Sequence, residues 1–245
     1  MPVQIPGPPR DILLHPTPLT QSTFSPFGTV ITNPSPSLIP SSALTAGDLP
    51  PKAVQANQGS ALKYLDVTHM LDLYPQAPSK VSSKAVMNMF VCAPRSLLAG
   101  ERQGEGVFPV EILERHPYTT QTFIPLGISA REAQDVRYLV IVAPSLSPVA
   151  ADEDLPVPDG EGLPGRGLPD LGRLRAFIAH GGQAVTYGAG TWHAPMVVIG
   201  RKPIDFVVVQ FANGVGVEDC QEAEIGGTGK IEVLAPVGSK TALKL

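Results

Sequence analysis

Proline and glycine interrupt this chain too often for long helices to form. Twenty-seven prolines and twenty-four glycines are spread over 245 residues; proline removes a backbone donor and glycine carries an entropic cost, so both break helices. Between the breakers lie short apolar or alternating runs at 62–67, 85–91, 110–115, 121–124, 138–143, 174–179, 183–187, 196–199 and 204–211. Short runs rich in β-branched and aromatic residues, bounded by turn residues, predict strands joined as antiparallel hairpins. The expected class is all-β, an antiparallel barrel or jelly roll with a few short helices.

The length permits one well-filled core, and no internal repeat is visible, so the whole of 1–245 reads as a single domain. Two stretches dense in turn residues, 33–51 and 145–169, read as loop insertions, with the Asp152-Glu-Asp154 acids solvated. The proline-rich start to Leu19 reads as an extended arm, and the tail from about Gly226 as irregular. Eighteen basic against 22 acidic residues give a net charge of -4 with no basic run, which argues against a nucleic-acid partner. No apolar run reaches membrane-spanning length and no secretory signal opens the chain. Cys92 and Cys220 lie far apart without a motif spacing, so both are expected reduced and the location cytoplasmic. The final Lys244-Leu245 matches only the last two residues of a peroxisomal signal, a weak hint.

Two segments concentrate groups able to bind a metal or move protons. In Leu113-Glu-Arg-His-Pro117, residues two apart on an extended strand share a face, which places Glu114 with His116. Gln121 follows five residues later, and His193 closes Gly188-Ala-Gly-Thr-Trp-His193. Imidazole nitrogens with carboxylate and amide oxygens suit a divalent transition metal, so Glu114, His116, Gln121 and His193 are candidate ligands. The alternative is a surface pairing of Glu114 with Arg115 and a structural role for Gln121. The two segments resemble degenerate forms of the paired cupin motifs, in the right order and roughly 70 residues apart, which makes the expected barrel cupin-like.

A closer resemblance is carried by Leu113-Glu-Arg-His-Pro117, Thr120-Gln121, Phe123-Ile-Pro125, Leu174-Arg-Ala-Phe177, Thr191-Trp-His-Ala-Pro195 and Asp205-Phe206. Together these runs resemble ureidoglycolate lyase over most of the chain. The resemblance implies a homodimeric enzyme cleaving ureidoglycolate to glyoxylate and urea in allantoin catabolism. It implies a divalent ion, nickel by resemblance and otherwise zinc or manganese, and no organic cofactor. His116, His193 and Gln121 become candidate catalytic residues, with Arg175 as the anchor for the substrate carboxylate. Asn57, Tyr64 and Trp192 are candidate pocket residues, although Asn57 also suits a turn and Trp192 a core. Two other readings stay open: hydrolysis of ureidoglycolate with release of ammonia, and a non-catalytic cupin that binds a small acid.

Overall fold

The computed structural model describes residues 1–102, 104–129, 131–152 and 154–236. The fold is all-β and cupin-like, with only two α-helices among the described residues, the four-residue Gln21–Phe24 and Gly216–Asp219. Three sheets stack in layers. The middle layer has eight strands, with Ile112–Arg115, Trp192–His193, Arg137–Ala143 and Arg175–His180 consecutive at its centre. Residues 139–143 are at most 1% exposed, because this strand is covered on both faces and its run is accordingly apolar without alternation.

One face of the middle sheet packs on a four-stranded sheet. Leu113, Ile141, Trp192 and Ala223 there meet Phe108, Ile231 and Val233. The other face packs on a five-stranded sheet containing Gln183–Tyr187, Gln121–Leu126 and Ile204–Ala212. Here Tyr138, Val140 and Phe177 meet Phe123, Val185 and Phe206. Alternation along each strand therefore sorts neighbours into different layers. Leu113 and Arg115 face the four-stranded sheet, while Glu114 faces the five-stranded one.

Two expectations from sequence need correction. The tail beyond Gly226 is not irregular throughout, since Ile231–Pro236 is a strand pairing with Glu105–Pro109 and burying Ile231, Val233 and Ala235. Nor are all pairings antiparallel. The N-terminal arm contributes Val3–Pro6, Ile12–Leu14 and Thr17–Pro18, each added parallel to a strand far along the chain. Such short edge additions carry little local signal, because their partners supply the register.

The described residues of 145–169 are largely irregular in backbone and fastened down. Arg115, fully buried, donates to the carbonyls of Gly165, Arg166 and Gly167 and to Gln221 Oε1, and its guanidinium lies 4.5 Å over the Trp192 ring. Gly167 is required by close approach, because a Cβ there would fall 1.8 Å from the Leu146 carbonyl oxygen. Asp152, expected in solvent, is 2% exposed, and its Oδ2 accepts from the Val149 amide. Among the described residues no helix is long and apolar enough to cross a membrane. The carboxy-terminal Lys244-Leu245 hint lies outside the described residues.

Candidate active site

Glu114 and His193 are direct cross-strand partners, so their side chains rise from the same face of the middle sheet. His116 leaves the end of the Glu114 strand, and its ring centre lies 5.6 Å from that of His193. One donor atom from each of Glu114, His116 and His193 lies within 4.8 Å of the others. The turn before His193 depends on Gly190, whose φ of +75° favours glycine. Its amide donates to the His116 carbonyl at 2.8 Å, tying the two histidine segments together.

The tautomers follow from the backbone. His116 Nδ1 lies 2.6 Å from the Asp219 carbonyl and His193 Nδ1 lies 3.0 Å from the Thr191 carbonyl. A carbonyl can only accept, so each Nδ1 carries a proton, and Nε2 is the nitrogen that bears the lone pair in the neutral form of each ring. Both Nε2 atoms are buried without a hydrogen-bond partner. His193 Nε2 stands 3.4 Å from Glu114 Oε1, near but outside hydrogen-bond geometry. Buried polar atoms left without a partner are satisfied by a proton donor or a cation.

Electrostatics agree with a neutral His116. Burial, and then the neighbouring His193, pulls its imidazole down to about 4. Burial alone would raise the Glu114 carboxyl, but the adjacent His193 and His116 imidazoles bring it below its ordinary value. A neutral His116 beside an ionised carboxylate has the form that ligates a divalent metal. Gln121, the fourth candidate, is also buried. Its Nε2 donates to Gln210 Oε1 at 2.7 Å, while its own Oε1 is buried and unpartnered. Of the four ligands expected from sequence, Glu114, His116 and His193 form a cluster that fits a metal ion.

The profile of the ureidoglycolate lyase family matches residues 11–232. The chain belongs to the ureidoglycolate lyase family. It is 36% identical over 203 residues to the ureidoglycolate lyase of Schizosaccharomyces pombe, covering 83% of this chain and 86% of that one. The Saccharomyces cerevisiae ureidoglycolate lyase is 36% identical over 78% of this chain and 82% of its own length. That of Burkholderia mallei is 29% identical over 78% of each.

Within this family member the remaining candidates stand apart from the Glu114–His193 pair to different degrees. Arg175 is exposed at the end of its strand, cross-strand from Val142, which is itself cross-strand from His193. Trp192 points away from the histidines. It is fully buried against the four-stranded sheet, and its indole N–H donates to the Gly167 carbonyl, so the core alternative describes it. Asn57 sits exposed in a turn with φ +50°, outside the three layers. Tyr64 ends the adjoining strand Ala61–Tyr64, with a buried hydroxyl that lacks a partner. Arg115 is no partner of Glu114, since the two occupy opposite faces of one strand.

Val185 and Tyr187 also belong to the family-like runs, but sequence reasoning gave no site role to Tyr187, whose ring stacks on His193 at 3.9 Å and 13° and whose hydroxyl is buried and unpartnered. It also missed Gln210. Both lie in strands whose alternation was legible, but their meeting with His193 and Gln121 depends on cross-layer register.

Proposed function

We propose that this chain cleaves ureidoglycolate to glyoxylate and urea. The observation that carries the reading is the pair of buried imidazoles, His116 and His193, with unpartnered Nε2 atoms, clustered with the Glu114 carboxylate. The reaction is an elimination without water. The substrate hydroxyl loses its proton, its oxygen forms the carbonyl of glyoxylate, and the carbon–nitrogen bond breaks. Its electron pair and one proton go to the urea nitrogen.

A divalent ion held by Glu114, His116, Gln121 and His193 would supply Lewis acidity that makes the hydroxyl a better acid. The chain's own residues do the rest. Where no ion engages its Nε2, His193, beside Glu114, is instead placed to take the hydroxyl proton and to return it to the departing nitrogen, as general acid–base groups do. The Thr191 carbonyl and the Tyr187 ring hold its orientation. Arg175 is the carboxylate anchor of this proposal, supported by its position on the histidine face and by its belonging to no ion pair among the described residues. Asn57 and Tyr64 have a secondary place in it.

The reading includes a homodimer and a cytoplasmic location. The edge strand Lys84–Cys92 leaves Met87, Met89 and Val91 at 76%, 59% and 67% exposure. An apolar edge this open suits a second copy. Cys92 and Cys220 are both free thiols, which suits a reducing compartment.

Incubating the purified protein with racemic ureidoglycolate, with and without a chelator, and measuring glyoxylate, urea and ammonia against spontaneous decay tests the reaction. Enzyme-dependent glyoxylate and urea are expected. Ammonia in place of urea would replace the lyase by a hydrolase, and no acceleration after adding back divalent metals would overturn catalysis.

A further inference from the structure

One row of side chains crosses the middle sheet on its histidine face. Register joins Arg175 to Val142, Val142 to His193, His193 to Glu114 and Glu114 to Glu222. Register partners share a face, and each step along the row is about 4.8 Å. A guanidinium therefore stands at one end, His193 in the middle and two carboxylates at the other end.

Glu222 is the member that the proposed chemistry does not use. It is half-buried, takes part in no ion pair among the described residues, and lies outside the donor cluster of Glu114, His116 and His193. Carboxylates directly opposite one another repel, so this arrangement needs donors or positive charge in front of it. The buried, unpartnered Nε2 atoms of His116 and His193 and Oε1 of Gln121 mark ligand space in front of the same row. A cation at Glu114 satisfies one carboxylate and leaves the second, one strand further, facing that space.

We infer that Glu222 accepts the ureido N–H groups of the substrate and so fixes its direction across the row. The inference rests on the lyase reading above. Ureidoglycolate is itself polar end to end, with a carboxylate at one end and N–H donors at the other. The carboxylate is attracted toward Arg175 and repelled from Glu114 and Glu222. A ureido group presents two N–H bonds on one side, matching the two oxygens of a carboxylate. Glu222 thereby selects ureido acids over simple 2-hydroxy acids, because a compound without N–H donors leaves its charge unpaired.

The test uses metal-loaded protein and two stable probes. N-carbamoylglycine carries the carboxylate and the ureido group, whereas glycolate carries the carboxylate and hydroxyl without the ureido group. Calorimetric titration of Glu222→Leu should show N-carbamoylglycine weakened about tenfold or more and glycolate changed less than about twofold. Glu222→Gln, which keeps one acceptor oxygen, should fall between. Equal weakening of both probes, or no weakening of either, would overturn the inference. So would loss of nickel binding by Glu222→Gln comparable to that of Glu114→Gln, which would make Glu222 a metal ligand. Because the readout is binding, it is separable from the lyase reading, which fails only if wild-type protein yields no glyoxylate and urea.

Discussion

Tyr74 donates its hydroxyl to Asp219 Oδ1 at 2.6 Å, and the backbone carbonyl of that same Asp219 takes the His116 Nδ1 proton. The Asp219 carboxylate also accepts from the Asn213 and Gly214 amides. An otherwise structural turn is thus held in the one position that orients a candidate ligand. Groups that orient a ligand through its second nitrogen commonly matter about 10–100-fold. Tyr74→Phe keeps the ring in its core and removes only the hydroxyl. It should lower metal affinity by about tenfold at unchanged secondary structure, as read by isothermal titration with nickel and by circular dichroism. Unchanged affinity would separate Asp219 from the function of His116.

Replacing His116 or His193 by alanine should reduce turnover by at least about 10²-fold, the scale of lost acid–base assistance. Both rings sit in a polar cluster rather than an apolar one, so the fold should survive. Near-normal turnover in both variants, measured as glyoxylate release, would remove the assigned site.

Acid should destabilise the metal-free protein, with a sign fixed by His116. Its folded-state imidazole is held at about 4 by burial and then by His193, below about 6.5 in an unfolded chain. Between those values the unfolded chain takes up a proton that the folded chain refuses, so stability falls as pH drops and is unaffected by this group above about 6.5. The full effect is on the order of 3 kcal/mol. Glu114, held below its ordinary value, adds stability above that value that is lost at still lower pH. Thermal melts in chelator from pH 7 to 5 should show the decline, and His116→Asn should flatten it.

Arg115→Met should destabilise the protein without touching the histidine face. It removes a buried guanidinium that satisfies the carbonyls of Gly165, Arg166 and Gly167, and the orphaned acceptors cost about 3 kcal/mol together. Urea denaturation followed by Trp192 fluorescence reads this directly, because the ring lies under the guanidinium.

Met89→Lys on the exposed edge should convert a dimer to monomer in light scattering while leaving the monomer folded, since Met89 is 59% exposed in one chain. A wild-type monomer would end the dimer proposal.

Sequence by itself determined the strand-rich class, most central strands and the three converging residues Glu114, His116 and His193. These are local properties, because alternation and turn residues act over a few positions and the two motif segments are short. It placed Glu114 on one face with His116, without telling which face was buried deeper or against what. Tertiary structure decided the rest. The arm strands and Ile231–Pro236 exist through partners far along the chain. Tyr187 reaches His193, Gln210 reaches Gln121, and Glu222 stands opposite Glu114 only through cross-strand register and layer packing. A strand's pattern states which residues share a face; hydrogen-bonded register and the packing of one layer on another choose what that face meets.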